Sequence, residues 1–233
     1  MNETVPRTLG VITARGGSRG IPRKNIALLA GKPLIAYTID AAAQSRLTRC
    51  IVSTDDSDIA EMARSLGADV PFLRPAELST DAAGSIEVMQ HAIRWMEERG
   101  ERFDYAMILQ PTSPLRTGAD IDACLELAAR TNADSVMSMV QIPDFAVQKL
   151  KRITEDGRIQ PRFADEGQRS AHRDNDPVYK RNTAIYLTRV PVLMRGELFG
   201  ADSRAYVMPR ERSVDVNEPM DMAIAELLLG KTT

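Results

Sequence analysis

Apolar residues follow two alternating patterns along this chain of 233 residues. Short apolar runs typical of buried strands alternate with segments in which apolar residues recur every three or four positions, as in amphipathic helices. Such alternation predicts a parallel sheet with helices on both faces. The predicted strands are residues 8–13, 50–54, 105–109 and 135–140, and the predicted helices are residues 34–43, 58–66, 85–98, 121–130 and 217–229.

The pattern changes between residues 143 and 181, where charges are frequent and apolar residues lose their period. Two stretches within it, residues 147–153 and 158–163, are candidates for short strands. We interpret the segment as an insertion in a single domain that spans residues 1–233. A surface loop is the simpler interpretation, but the segment is long for a structureless loop, which favours a functional or interface role.

Composition bounds the class of protein without naming a function. The 30 basic and 32 acidic residues give a net charge of −2, so no global field attracts nucleic acid or membranes. Cys50 and Cys124 are too few for a disulfide framework and fit a reducing compartment. No apolar run approaches the ~18 residues of a membrane span, and residues 1–7 lack a signal-peptide core. We therefore expect a cytoplasmic protein that binds anions locally.

The clearest chemistry lies between residues 9 and 25, which read L-G-V-I-T-A-R-G-G-S-R-G-I-P-R-K-N. An apolar strand leads directly into a loop of glycines and cations. Glycines allow tight turns that bring backbone N–H groups close to an anion, and the cations add positive charge. The pattern predicts a polyphosphate-binding loop with Gly16, Gly17 and Gly20 and with Arg15, Arg19, Arg23 and Lys24.

The spacing of this loop matches neither the Walker loop nor the dinucleotide-binding fingerprint. A solvated basic turn between a strand and a helix is the simpler alternative. Arg15, Asp55 and Gln110, however, each follow a predicted strand. Because parallel sheets bind ligands at the carboxyl ends of their strands, we expect these three residues at one site.

The loop A-R-G-G-S-R-G-I-P-R-K-N-I resembles the N-terminal signature of the acylneuraminate cytidylyltransferase family, which comprises the CMP-sialic acid synthetases and relatives acting on other nine-carbon 2-keto sugar acids. Further blocks follow in the family's order and cover nearly the whole chain: V-S-T-D-D from Val52, R-P-A-E-L-S-T-D from Arg74, L-Q-P-T-S-P-L-R-T from Leu109, R-N-T-A-I-Y-L from Arg181 and S-V-D-V-N from Ser213. The resemblance implies a doubly wound, mostly parallel Rossmann-like sheet of the nucleotide-diphospho-sugar transferase type. It also implies that residues 143–181 form a small dimerisation arm reaching the neighbouring site of a homodimer.

The implied reaction joins CTP to a 2-keto sugar acid and releases pyrophosphate, with the sugar's anomeric hydroxyl attacking the α-phosphorus. Such an attack needs charge neutralisation and in-line positioning more than covalent chemistry. By resemblance, Arg15 and Lys24 hold the phosphates, while Arg19 and Asn25 line the nucleotide beside Gly16 and Gly17.

Arg74 begins the block that frames the cytosine in this family; the alternative is a surface arginine held by Glu77. Ser85, Gln110 and Thr112 match sugar contacts, although Gln110 and Thr112 also fit a capped turn. The resemblance further implies Lys149 as a sugar contact, with a one-residue ambiguity against Gln148. For the sugar carboxylate the arm offers Arg169, Arg173 and Arg181, and we select Arg173.

The metal motif departs from the family. Relatives close with D-x-D, which holds Mg²⁺ against the triphosphate, whereas here Asp215 is followed by Asn217. A neutral amide oxygen binds hard cations less strongly than a carboxylate. We expect Mg²⁺ dependence with a weaker protein contribution, so that Asn217→Asp lowers the Mg²⁺ needed for half activity. Alternatively, Asp215 caps an element, and Glu218 or Asp221 starts the last helix.

Thr183 is a second departure, at a position where the family usually has glycine, and is expected to crowd the sugar pocket. Three hypotheses follow for function. The first is a cytidylyltransferase with Arg15, Lys24 and Asp215 in catalysis. The second is another sugar nucleotidyltransferase, with a different base or the eight-carbon acid Kdo. The third is a binding protein that releases no pyrophosphate.

Overall fold

A computed structural model describes residues 5–18, 20–80, 84–142, 150–162 and 177–230. Its strands are β1 Thr8–Thr13, β2 Leu28–Leu29, β3 Lys32–Pro33, β4 Arg49–Ser53, β5 Tyr105–Leu109, β6 Ser135–Ile142, β7 Lys151–Ile153, β8 Ile159–Pro161, β9 Val178–Arg189 and β10 Ser203–Val207. Six of them form the central sheet in the order β10-β6-β9-β5-β1-β4. Every pairing in that sheet is parallel except those of β9, which runs antiparallel to β5 and β6. The predicted α/β class with a mostly parallel sheet is confirmed.

The helices are α1 Leu34–Ala43, α2 Ser57–Ser65, α3 Ser85–Glu97, α4 Gly118–Thr131, α5 Val190–Met194 and α6 Pro219–Leu229. Among the described residues, short 3₁₀ turns lie at Lys24–Ile26, Ala76–Leu78 and Arg210–Arg212. The predicted bounds of β1, β5 and α1 match the structure, and those of the other predicted helices and strands outside the arm lie within about three residues of it. No helix in the described part of the chain is long and apolar enough to cross a membrane.

Helices cover both faces of the sheet because its strands alternate their side chains between two buried clusters. Along β1, Leu9 and Val11 face the cluster formed with α3 and α5, whereas Ile12 faces the one formed with α1, α2 and α4. Full burial of such a side chain contributes about 1.5–3 kcal/mol. The central strand is thereby fixed from both sides.

Strand β9 was not predicted, because the two halves of its sequence differ in burial. Its first four residues, up to Arg181, are mostly exposed and include two cations, whereas most of the remainder is buried. Residues 178–181, the last of the predicted arm, pair with β6 in the main sheet. Within the described remainder of the arm, β7 and β8 form a hairpin inside the two predicted strand stretches. The sequence prediction also omitted α5 and β10.

The strand order of the central sheet reverses at β1, which is the topological switch point. The chain passes from β1 to β4 on one side and later places β5 on the other. A crevice opens outside the carboxyl ends of strands at such a switch point, and ligands of open α/β sheets bind there. The fold therefore places residues 14–18, 55–56 and 110–112 around one crevice.

Candidate functional site

A cavity of about 570 Å³ occupies this crevice. Its wall combines the loop after β1, the segment around Arg74, the start of α3 and the turn after β5. Nearly all the site residues predicted from sequence that the structure describes line it: Arg15, Gly17, Lys24, Asn25, Arg74, Ser85, Gln110, Thr112 and Asn217. Arg19, Lys149 and Arg173 lie outside the described residues.

The loop after β1 is held in shape by its own polar groups. The Asn25 side chain is buried, and its Nδ2 donates to the carbonyl of Arg15 at 2.9 Å. The N–H of Gly16 donates to Asp55 Oδ1 at 3.1 Å, so Gly16 ties the loop to the end of β4 and is not part of the cavity wall. Gly17 does line the cavity, and a Cβ there would meet no described atom within 4 Å.

Gly20 serves close packing between two distant segments. A Cβ at this position would lie 2.1 Å from the carbonyl oxygen of Asn217. Any other residue would push the loop away from the chain before α6. Glycine is therefore required here by contact with Asn217, which places residue 217 directly beside the predicted phosphate loop.

Lys24 reaches across the same boundary. Its Nζ donates to the carbonyl of Val216 at 2.8 Å and to Asn217 Oδ1 at 3.2 Å. Burial lowers the pKa of Lys24, an effect that the charge of Asp215 opposes. The ammonium is thus fixed at the cavity wall by two oxygens.

Arg74 is buried, with 3% of its side chain exposed. Its Nε donates to Ser79 Oγ at 3.0 Å, and its Nη2 donates to Asp55 Oδ1 at 3.3 Å. Burial lowers the pKa of Arg74, although the charge and hydrogen bond of the adjacent Asp55 act in the opposite direction. The alternative of a surface arginine held by Glu77 is therefore wrong, since Asp55 is the carboxylate that pairs with Arg74 at the cavity wall.

Gln110 and Thr112 project from the turn after β5. Thr112 Oγ1 donates to Gln110 Oε1 at 3.4 Å, and the N–H of Val216 donates to the carbonyl of Thr112 at 2.8 Å. The turn is thereby joined to the same 216–217 segment that Lys24 contacts. The loop after β1 and the turn after β5 therefore both contact residues 216–217.

Arg116 supports this turn from beneath and was missed in the sequence prediction. It is 2% exposed, and its Nη1 donates to the carbonyls of Gln110 and Ala184 at 3.2 and 3.1 Å. Nε and Nη2 are buried with no hydrogen-bond partner in the described part of the chain, and burial lowers the pKa of Arg116 to about 10. The only signal in the sequence was its place in L-Q-P-T-S-P-L-R-T.

A second cavity of about 500 Å³ adjoins the first. It lies between the β6–β9 pair and the segment leading into α6. Asn217 lines both cavities. The charged and polar residues around the second cavity include Lys180, Arg181, Thr183, Arg210, Asp215 and Asp221.

A bulge in β9 shapes the second cavity. Met137 pairs with Tyr186 and Met139 pairs with Arg181, so the single residue Ser138 opposes residues 182–185. Ser138 Oγ donates to Asn182 Oδ1 at 2.5 Å and accepts from the N–H of Ile185 at 2.8 Å. Thr183 sits in the bulge with φ 64°, a conformation that strains a β-branched residue.

Asp215 is the residue of the second cavity best suited to a cation. Its Oδ2 accepts from Asn217 Nδ2 at 2.8 Å, whereas its Oδ1 is buried with no partner among the described residues. Asp221 instead accepts from the N–H groups of Asn217 and Glu218 at 2.8 and 3.0 Å and forms a capping box with Glu218. Of the alternative that Glu218 or Asp221 starts the last helix, the structure bears out Glu218, which is the N-cap of α6.

Metal ligands of the usual kind are sparse at this place. Within the ranges that the structure describes, no group of three or more His, Cys, Asp or Glu side chains could hold a metal ion. The unpartnered Oδ1 of Asp215 and the side-chain Oδ1 of Asn217 are hard donors of the type that Mg²⁺ accepts. The residues present fit Mg²⁺ as a partial ligand set.

Comparison with known proteins decides the family. Residues 9–206 match the cytidylyltransferase family. This chain belongs to that family. The membership makes it a nucleotidyltransferase and confirms the resemblance seen in the sequence motifs.

Relatives match along almost the entire chain. The CMP-N,N'-diacetyllegionaminic acid synthase of Legionella pneumophila is 33% identical over 227 residues, which cover 96% of each chain. The pseudaminic acid cytidylyltransferase of Campylobacter jejuni is 30% identical over 224 residues, covering 95% of this cytidylyltransferase and 96% of its relative. The N-acylneuraminate cytidylyltransferase of Escherichia coli is 33% identical over 221 residues, covering 94% of this chain and 51% of the longer relative.

A solved structure supports the fold. A CMP:2-keto-3-deoxy-manno-octonic acid synthetase in complex with CTP superposes with a TM-score of 0.72 at 16% identity, covering 97% of this cytidylyltransferase and 100% of that chain. At this identity the likeness concerns architecture alone.

Proposed function

We propose that this cytidylyltransferase transfers CMP from CTP to the anomeric hydroxyl of a nine-carbon 2-keto sugar acid of the sialic, legionaminic or pseudaminic type, with release of pyrophosphate. The observation that carries the proposal is the first cavity. It gathers Arg15 and Lys24 of the loop after β1, Arg74, and Gln110 of the turn after β5 at one switch point. The relatives above, whose names specify three such acids, support the acceptor class.

The nucleotide binds in the first cavity. Arg15 and Lys24 stand on its loop side and meet the triphosphate, where a guanidinium fork and a movable ammonium are the appropriate cations. Gly17 leaves room for a phosphate to approach the backbone. Arg74, held rigid by Asp55 and Ser79, lines the part of the wall that faces the base.

The acceptor lies where the two cavities meet. Gln110 and Thr112 stand on the first side of this boundary together with Ser85, and Arg181 stands on the second. Arg116 joins the two sides, since it bonds both Gln110 and Ala184. Of the three arginines considered for the sugar carboxylate, Arg181 is the one that the structure describes, and we propose it alongside Arg173. Lys149 remains a further proposed sugar contact.

Magnesium is the proposed cofactor, with Asp215 and Asn217 as its protein ligands. When bound, it supplies positive charge that neutralises the phosphates. The chain's own residues hold the triphosphate through Arg15 and Lys24 and orient the acceptor hydroxyl through Gln110 and Thr112. Correct placement of two bound reactants can contribute most of such a rate enhancement.

We also propose a homodimer formed through the arm. The hairpin of β7 and β8 exposes Ile153 and Ile159 to 75% and 70%. Apolar side chains this exposed favour an interface. Sedimentation equilibrium should give a dimer, and Ile153→Glu should shift it toward monomer.

The experiment for the proposed function measures pyrophosphate release with Mg²⁺ across sialic, legionaminic, pseudaminic and Kdo acids, with CTP, ATP, GTP and UTP. We expect release with CTP and one nine-carbon acid. Release with Kdo or with another nucleotide would favour the second hypothesis. Absence of pyrophosphate release in every combination, together with CTP binding, would favour a binding protein.

A further inference from the structure

Three polar side chains form a chain across the boundary between the two cavities. Lys24 Nζ donates to Asn217 Oδ1 at 3.2 Å, and Asn217 Nδ2 donates to Asp215 Oδ2 at 2.8 Å. Lys24 lines the first cavity, Asp215 lines the second, and Asn217 lines both. The amide of Asn217 therefore connects the two cavities.

The backbone of Asn217 is fixed independently of its side chain. Its N–H donates to Asp221 Oδ2 at 2.8 Å, and its carbonyl packs against Gly20 so closely that no Cβ fits between them. The side chain thus starts from a defined position. Its amide must turn Oδ1 toward the ammonium and Nδ2 toward the carboxylate, because the reverse orientation would oppose like groups at both ends.

An amide suits this position better than a carboxylate when no metal is bound. The ammonium and the carboxylate at the two ends of the bridge already balance each other, and each has a hydrogen bond. A carboxylate at 217 would place two anions in contact, which favours a divalent cation between them. The Asp215 oxygen left over is one hard donor, and Mg²⁺ sheds its water reluctantly for so few ligands.

We propose that Asn217 is a positioning residue that spaces Lys24 and Asp215 without a metal, so that the free protein binds divalent cations weakly and the cation enters together with the triphosphate. The first part rests on the hydrogen bonds alone, and the second rests on the proposed function. In a permanently loaded metal site, by contrast, the free protein would already hold the cation tightly.

The test uses Mn²⁺ as the probe and follows its free-ion signal by electron paramagnetic resonance, in the full-length protein without nucleotide. The variants are Asn217→Asp and Asn132→Asp. Asn132 is exposed and lies outside both cavities. Its substitution by Asp therefore adds the same charge away from the site. We expect Asn217→Asp to bind Mn²⁺ at least tenfold more tightly than the wild type, and Asn132→Asp to match the wild type. Equal Mn²⁺ affinity in the wild type and Asn217→Asp would overturn the proposal.

A second variant, Asn217→Ala, tests the bridge without requiring Asn217→Asp to fold. Loss of the bridge should raise the KM for CTP about tenfold while Mn²⁺ binding to the free protein stays as weak as in the wild type. An unchanged KM for CTP would contradict the positioning role. Failure of the proposed function would be recognised separately, because the wild-type protein would then release no pyrophosphate from CTP with any of the sugar acids, whatever the Mn²⁺ measurements show.

Discussion

The two adjoining cavities are built by different means. The first is formed at the carboxyl ends of parallel strands, where Arg15 and Gln110 follow β1 and β5 within two residues. The second depends on the bulge in the antiparallel strand β9 and on the segment that begins at Arg210. The first cavity is therefore encoded by short local motifs, whereas the second is encoded by sheet register and by contacts between residues far apart in the sequence.

The supports of the two cavities differ in the same way. Asp55 holds both Gly16 and Arg74 on the first side, a contact between neighbouring strand ends. On the second side Asp120, at the start of α4, accepts hydrogen bonds from Tyr206 at 2.9 Å and Arg212 at 2.8 Å. One buried carboxylate thereby anchors the chain leading to Asp215. Substitutions that affect one cavity alone would sharpen this contrast.

The largest effect is expected from Lys24→Met, which removes the cation shared by the phosphate loop and the 216–217 segment. We expect kcat/KM for pyrophosphate release to fall about 10³-fold, equivalent to about 4 kcal/mol of transition-state stabilisation. Lys32→Met is the matched control, since Lys32 pairs with Asp40 and is not part of either cavity wall. A loss of less than tenfold in kcat/KM would show that Lys24 does not stabilise the transition state.

Asp120→Asn should weaken the support of the second cavity. The variant keeps the shape of the side chain but loses the charge that pairs with Arg212, which should lower the free energy of unfolding by about 3 kcal/mol at pH 7. Urea denaturation measures this difference. A loss below about 0.5 kcal/mol would show that the segment after β10 is held by other contacts.

The pH dependence of stability gives the same residue a second readout. Burial alone would raise the pKa of Asp120, but hydrogen bonds from Arg212, Thr117 and Tyr206 outweigh it and lower that pKa from its ordinary value. A carboxyl with a lowered folded-state pKa stabilises the protein above its unfolded pKa, and the stabilisation is lost as pH falls through the folded value. Wild type and Asp120→Asn should therefore converge in stability toward acid pH. A difference that stays constant down to acid pH would contradict the role of this charge.

The smallest expected effect is at Thr183. Thr183→Gly relieves a positive φ, and we expect the free energy of unfolding to rise by about 1 kcal/mol. The KM for the acceptor should change as well, because Thr183 lines the second cavity. Ala30→Gly is the control, since Ala30 has φ 48° in the β2–β3 turn and lines neither cavity. Equal KM values for the acceptor in the wild type and Thr183→Gly would show that Thr183 does not affect binding of the acceptor.

The same contrast explains how much the sequence could predict. β1, β5 and α1 were predicted because their signals are local: an apolar run or a helical period with clear ends. Arg15 and Gln110 were correctly expected together because they follow neighbouring parallel strands. The role of β9 could not be predicted, since its pairing depends on β5 and β6, and its bulge depends on Ser138.

Arg116 shows why buried polar residues escape sequence reasoning. Its two acceptors, the carbonyls of Gln110 and Ala184, lie 6 and 68 positions away along the chain. An arginine is usually exposed, so its type gave no reason to expect burial. The link that Asn217 makes between Lys24 and Asp215 is likewise visible only in three dimensions.

The most direct test of the proposed reaction follows the phosphorus atoms of CTP. With the active sugar acid present, label from [α-³²P]CTP should move into a product that contains the acid, and label from [γ-³²P]CTP should be recovered in pyrophosphate. Label from the γ-position in the sugar product, or orthophosphate in place of pyrophosphate, would contradict attack on the α-phosphorus and with it the proposed transfer of CMP.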